Sequence, residues 1–274
     1  MTPEPVRASS EWLTIREPAD AAARSTELVE TIRPYLATDG GTEIHDLGCG
    51  TGSMARWLSA QLTGPQHWVL YDRDAQLLTL VARDSPQTAS DGAPVTVKTR
   101  RRDITRLDPG ELAGASLITA SALLDMLTAD ELQRLVATCA RAGCAVLITL
   151  TVTGRVDLTP ADPLDQRVAE AFNAHQRRAI GAGRRLGPGA VGAAMDGFTR
   201  FGHDVVVRPS PWRLGPHQSG LAAKWFTGWL AAACEQRPEL GALAPLYARR
   251  RLAEAAAGRL SVTVHHKDLL ARPR

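Results

Sequence analysis

The run from Glu43 to Ser53, Glu-Ile-His-Asp-Leu-Gly-Cys-Gly-Thr-Gly-Ser, constrains the fold more than any other stretch of this chain. Ile44 and Leu47 are the apolar residues of a strand that is ending. Met54, Trp57 and Leu58 then recur at helical spacing, so a helix is expected to begin near Ser53. Between the two, Gly48, Gly50 and Gly52 alternate with other residues. Glycine turns sharply and presents no Cβ to a molecule lying against the backbone. N–H groups left free at a helix start favour electron-rich partners. The stretch therefore reads as strand, ligand-bearing turn and helix. A tight turn with no ligand is the alternative.

The chain on either side fits an alternating pattern. Residues 1–10 are polar and read as loose, and from Glu11 to Leu36 the apolar spacing predicts two short helices. After the glycine turn, a helix over Ser53–Leu62 closes on Gly64-Pro65, and His67–Tyr71 is an apolar strand ending in Asp72. An acidic residue about 20 positions past a glycine turn, at a strand end, is placed to grip a ribose diol. Asp74 is the second candidate there, though it is better suited to capping a helix over Ala75–Val81. Further strands are expected at Val95–Thr99, Ser116–Ala120, Cys144–Leu150 and His203–Arg208, with helices at Thr128–Cys139 and Ala190–Phe201. Pro209–His217 reads as a rigid loop, Ala242–Ala257 as a helix and Leu260–Val264 as the last strand. Apolar strands alternating with helices predict a parallel sheet covered on both faces, with its ligand at the carboxyl ends of the strands.

The dinucleotide-binding G-x-G-x-x-G pattern needs a glycine where Ser53 stands. The spacing Asp46-x-Gly48-x-Gly50-x-Gly52 instead resembles motif I of the class I S-adenosylmethionine-dependent methyltransferases. The resemblance covers residues 43–150 by motif and 190–266 by topology. It implies a Rossmann-like α/β fold with a seven-stranded, mostly parallel sheet, helices on both faces, and helical insertions after strands five and six. It implies a cofactor, S-adenosylmethionine, with Asp46, Gly48, Cys49, Gly50 and Gly52 at its amino-acid end. Asp72, with Arg73 beside it, would hold the ribose, and Asp103 and Ile104 the adenine. Ser121 would lie at the strand-four end that faces the methyl group, and Arg24, on an N-terminal helix, could fork onto the methionyl carboxylate. The Asn/Asp-Pro-Pro-aromatic motif of base-amine methyltransferases is missing from the Ser121–Asp125 segment. This argues against DNA adenine and protein glutamine as acceptors. One domain over 1–274 is expected: an N-terminal helical lid (1–40), a cofactor-binding core (41–153) and acceptor-side insertions at 154–189 and 212–258.

The expected activity is methyl transfer to a polar or anionic small molecule. The competing readings are a cofactor-binding scaffold or regulator without turnover, and an RNA methyltransferase. Orientation of acceptor, methyl carbon and sulfur in line can supply ~7–11 kcal/mol, so no triad or metal is demanded. A hydroxyl or carbon acceptor would need a base, and the candidate is His175 on the first insertion helix, with Asn173 as its orienting partner and Asp125 as a residue that could orient the acceptor. Arg177, Arg178, Arg184 and Arg185 cluster near His175 and motivate the anionic acceptor. The stripe Trp225, Phe226, Trp229 and Leu230 reads as core, and Arg249-Arg250-Arg251 as a solvated face. With 32 Lys and Arg against 29 Asp and Glu the chain is only mildly basic, which argues against a dedicated nucleic-acid binder. The four cysteines form no C-x-x-C pair, so disulfide and metal-site readings are poor and a cytoplasmic location is expected. No apolar run approaches the length needed to span a membrane. The oligomeric state stays open, a homodimer included.

Overall fold

The computed structural model describes residues 8–36, 40–180 and 183–274, with the side chain of Ile180 left aside. Most of the N-terminal segment expected to be loose, and the first two residues of the glycine-rich Gly181–Gly189 link, lie outside the described residues. Helices α1 (Ser10–Ala23) and α2 (Thr26–Leu36) precede β1 (Thr42–Leu47), α3 (Ser53–Ser59), β2 (Gln66–Asp72), α4 (Ala75–Arg83), β3 (Val95–Arg101), β4 (Leu117–Ser121), α5 (Ala129–Arg141) and β5 (Ala145–Thr159). There follow α6 (Asp165–Gln176), the hairpin β6 (Ala179–Ile180) and β7 (Gly183–Arg184), α7 (Ala190–Arg200), β8 (His203–Pro209), β9 (Trp212–Leu214), α8 (Ser219–Gln236), α9 (Ala244–Ala256) and β10 (Ser261–Pro273).

The main sheet runs β3-β2-β1-β4-β5-β10-β8, with β9 attached to β10. Pairs among β1 to β5 are parallel, and β10 is antiparallel to β5, β8 and β9. The seven-strand path is the expected one, including an antiparallel strand between the fifth and sixth. Three details differ. Trp212–Leu214, expected within a loop, is an eighth strand because Val262–Val264 offers it a free edge. Strand β10 continues to Pro273, well past Val264. Strand β5 runs on to Thr159 rather than ending at Leu150.

That extension shapes the molecule. The first half of β5 is buried between helices on both faces, as a parallel core strand must be. Its second half leaves the sheet body, paired with Ser261–Val264, and there α6, α8 and α9 pack over it around Phe226, Trp229 and Tyr247. Two other clusters fill the faces of the sheet proper. One centres on Leu47, Tyr71, Ile118 and Phe198, and the other on Leu28, Ile44, Trp68 and Leu147. Among the described residues no helix is long and apolar enough to cross a membrane.

Two expectations about the insertions are corrected. Arg251 is not part of a solvated face: it is 1% exposed and donates to both oxygens of Asp165, to Glu254 and to the carbonyl of Pro160. Its neighbour Arg250 pairs with Asp162. In the aromatic stripe, Phe226, Trp229 and Leu230 are core, but Trp225 is half-buried and stacks on Trp229 with its ring centroid 5.2 Å away.

Candidate active site

Strand order reverses between β1 and β4, and the glycine turn lies at that switch point, where an open α/β sheet leaves a crevice. The amides of Gly48 and Cys49 both donate to the Tyr71 carbonyl, at 2.8 and 2.9 Å. Gly50 N donates to Asp72 Oδ2 at 3.0 Å, which ties the turn to the end of β2. Gly48, Gly50 and Gly52 have φ of +72°, +56° and +85°, in the left-handed region that disfavours residues with a Cβ. A Cβ at Gly50 would meet Leu13 Cδ1 of α1 at 3.2 Å, and one at Gly48 would meet the Leu123 side chain at 3.3 Å. The turn is thus a cradle closed on one side by the N-terminal helix and on the other by the segment after β4.

Asp46 is buried beneath this cradle. Its Oδ1 accepts from Thr119 Oγ1 at 2.7 Å, and its Oδ2 has no hydrogen-bond partner among the described residues. Burial pushes its pKa up to about 6, against the pull of the Thr119 hydrogen bond and the Arg24 charge. A buried carboxylate oxygen without a donor is suited to a cationic or N–H-bearing ligand. Cys49 is also buried, which raises its thiol pKa and leaves it a small apolar contact rather than a nucleophile. Asp72 accepts from the amides of Gly50 and, at 2.8 Å, Asp74, and a carboxylate keeps further acceptor capacity for a diol. Asp74 caps α4 through Gln76 N, as expected. Asp103 caps the short turn Ile104–Arg106, its Oδ1 accepting from Thr105 N and Oγ1. Its second oxygen lies 3.6 Å from Arg106 Nε.

Asp46, Gly48, Cys49, Gly50, Asp72, Arg73, Asp103, Ile104 and Ser121 all line one cavity of about 1130 Å³. Gly52 shapes the turn without lining it, and Arg24 does not line it either. Arg24 is 3% exposed behind the wall, where Nη2 donates to Ser53 Oγ and Ser121 Oγ at 3.0 and 3.1 Å and the guanidinium lies over Trp57. Burial lowers its pKa, with Asp20 and Asp46 pulling the other way. Its guanidinium holds the start of α3 to the end of β4, and its Nε is buried with no hydrogen-bond partner among the described residues. The N-terminal arginine on the cavity is Arg16, paired with Asp20 and stacked 4.9 Å over Trp212.

The cavity continues past Ser121 into a second half between the turn after β4, α6 and the β5–β10 extension. Asp125, Asn173, Gln176, Arg185, Trp225 and His265 line it. Its floor carries two non-glycine residues with positive φ, Ala122 (+51°) just past the end of β4 and Leu150 (+57°) within β5, side by side. Such backbone is sparsely populated and here is held from behind, with Leu150 N donating to buried Asp268 at 2.7 Å.

The expected base is corrected. His175 does not line the cavity: its Nε2 faces Glu235 of α8 at 3.0 Å and contacts Arg178, which also pairs with Glu235. Asn173 does not orient it. It donates to the Gly154 carbonyl at 2.8 Å, and its buried Oδ1 has no partner among the described residues. Arg177, Arg178 and Arg184 are likewise off the cavity, and of the four clustered arginines only Arg185 reaches it. Two further lining residues are His265, paired with Asp157 at 2.7 Å, and Trp225, expected in the core. Among the described residues no group of three or more His, Cys, Asp or Glu side chains is placed to hold a metal ion.

A family model described as a methyltransferase domain matches residues 44–143, which contain every strand end that meets the glycine turn. No curated protein matches the sequence. Two solved structures share the fold: an S-adenosylmethionine-dependent methyltransferase from Methanosarcina mazei (13% identity, TM-score 0.51, covering 89% of this chain and 96% of that one) and the cyclopropane synthase MmaA2 from Mycobacterium tuberculosis (12% identity, TM-score 0.50, covering 97% and 94%). The unpartnered Asp46 carboxylate oxygen, the glycine cradle and the Asp72 carboxylate fit a cofactor with a cationic amino-acid end and a ribose. Residues 44–143 thus match a methyltransferase domain, and this geometry fits S-adenosylmethionine as the cofactor.

Proposed function

We propose that the protein transfers a methyl group to a polar or anionic small molecule held in the second half of the cavity. The observation that carries this is the cavity itself. At about 1130 Å³ it exceeds the ~300–1,000 Å³ of a single-ligand pocket. It runs without a break from the glycine turn to Asp125, Asn173, Gln176 and Arg185. S-adenosylmethionine supplies a reactive methyl sulfonium, and the task left to the protein is to align the acceptor and exclude water.

In this reading Asp46 and the turn amides hold the amino-acid end, Asp72 the ribose, and Asp103 and Ile104 the adenine. Ser121 and Arg24 stiffen the wall nearest the methyl group, and Asp125 orients the acceptor. Residues 8–36 form a lid on the cofactor side through Leu13 and Arg16. Residues 154–189 and 212–258 form the acceptor side, so the whole chain acts as one domain.

Calorimetric titration with S-adenosylmethionine and S-adenosylhomocysteine tests the cofactor half. Micromolar binding to the wild type, lost in Asp72→Ala, is the expected result. Absence of wild-type binding would overturn the reading. A screen of small polar compounds by mass spectrometry, scored for gain of one methyl, then tests transfer. Binding without any transfer across the screen would favour a cofactor-binding scaffold.

A further inference from the structure

The acceptor half of the cavity holds a cation, Arg185, whose side chain has no hydrogen-bond or ion-pair partner among the described residues. Arg185 is positioned by a backbone bridge to Thr128, at the end of the β6–β7 hairpin. Its side chain makes no hydrogen bond to the described residues, and its Nε is buried. Burial lowers its pKa, and Asp125 and Glu131 oppose this without either accepting a hydrogen bond from it. A half-buried cation on a cavity wall is suited to pair with an anion that enters the cavity. Asp125 is the nearby carboxylate on the same cavity. Its side-chain donor is Gln176 Nε2, at 3.4 Å, and burial raises its pKa. A carboxylate whose neutral form is favoured by burial is a stronger proton acceptor than an exposed one. The same cavity also carries aromatic side chains. Phe172 and Trp225 are half-buried at the cavity, and Trp225 is backed by Trp229 so that its ring is held rigidly.

We propose that the acceptor is an aromatic hydroxy acid, its carboxylate paired with Arg185, its ring against Phe172 and Trp225, and its hydroxyl proton passing to Asp125. This rests on the methyl-transfer reading above and names its substrate class. A hydroxyl oxygen is a weak nucleophile until its proton is removed, which is the work a buried carboxylate can do. As the oxygen lone pair bonds to the methyl carbon, the carbon–sulfur bond breaks with its electron pair staying on sulfur. The O–H proton goes to Asp125, leaving a methyl ether, a neutral thioether and a protonated carboxyl that solvent later discharges.

Salicylate, its meta and para isomers and the corresponding hydroxynaphthoates, each with its methyl ester and its hydroxyl-free parent acid, are titrated into the protein saturated with S-adenosylhomocysteine. Acids should bind and esters should bind about 10- to 100-fold more weakly, the worth of one charge-assisted pair. Arg185→Ala should erase that acid-over-ester gap and leave S-adenosylhomocysteine binding unchanged. Asp125→Asn, which keeps the side-chain shape, should retain acid binding and lower methylation of the hydroxy acid by at least about 100-fold. If S-adenosylhomocysteine fails to bind the wild type, the methyltransferase reading falls. If it binds but no acid binds, or esters equal acids, or Asp125→Asn turns over normally, this inference falls and that reading stands.

Discussion

Asp46→Asn separates what the buried carboxylate costs the fold from what it does for the cofactor. Asp46 is 1% exposed, and burial lifts its pKa from an ordinary 3.8 to about 6. The folded chain therefore holds a proton on this group at pH values where the unfolded chain has released it. The stability from that proton is fully present below about pH 3.8 and is lost as pH rises through about 6. At about 1.4 kcal/mol per pKa unit, the loss is about 3 kcal/mol, most of it between about pH 4 and about pH 7. Asparagine keeps the acceptor for Thr119 Oγ1 and cannot ionise. It also places a buried amide where Oδ2 has no donor, a penalty that does not change with pH. The informative quantity is thus the difference between the two proteins across pH. Urea unfolding monitored by tryptophan fluorescence should show the variant gaining about 3 kcal/mol on the wild type from about pH 4 to about pH 8. S-adenosylmethionine binding should tighten with pH through about 6 in the wild type and stay flat and weak in the variant. A pH-independent stability difference would refute the argument, because it would mean that Asp46 is as easily ionised in the folded chain as in the unfolded one.

Gly50→Ala should weaken S-adenosylhomocysteine binding and cost about 1–2 kcal/mol of stability, because its φ is +56° and the new Cβ would press on Leu13 at 3.2 Å. Calorimetry beside a thermal melt reads both effects, and wild-type affinity in the variant would count against the cradle. His175→Ala should leave the methylation rate within about two-fold of wild type, since the imidazole is turned to Glu235. A loss of about 100-fold would restore it as a base. Arg251→Ala should destabilise by about 2–4 kcal/mol because it empties a buried site and takes the guanidinium from half-buried Asp165, with a matching fall in the urea midpoint.

The cofactor half was legible in the sequence because its signals are local. A strand, a glycine turn and an acidic residue at the next strand end lie within about 30 residues, and their spacing states the geometry. The acceptor half was less so, for reasons that differ by residue. On α6, Phe172, Asn173 and Gln176 line the cavity while His175, three residues past Phe172, turns to Glu235 of α8, a partner 60 positions away. On β10 the alternation Val262, Val264, His266, Asp268 and Leu270 is a true buried face, but two polar residues interrupt its hydrophobic pattern. Asp268 is tolerated there because its donors, Ser25 N and Leu150 N, come from distant parts of the chain. Nothing within a sequence window foretells partners of that kind. Arg251 is the same case, buried against Asp165, 86 positions away.

This difference also explains why a match to the methyltransferase domain fixes the cofactor and leaves the acceptor open. The matched stretch ends at residue 143. Of the polar and aromatic groups proposed to meet the acceptor, Asp125 lies inside it, while Phe172, Asn173, Gln176, Arg185 and Trp225 lie beyond it. Those five sit on two helices and a hairpin packed on the extension where β5 and β10 run past the sheet. Side chains on packed helices hold their positions better than side chains on loops, so the acceptor wall is preorganised while remaining separate from the cofactor cradle. Exchange of those groups can alter the acceptor without disturbing the Asp46–Gly52 turn. It follows that relatives sharing the turn need not share the substrate, and that Arg185 and its surroundings are the place to look for what this protein methylates.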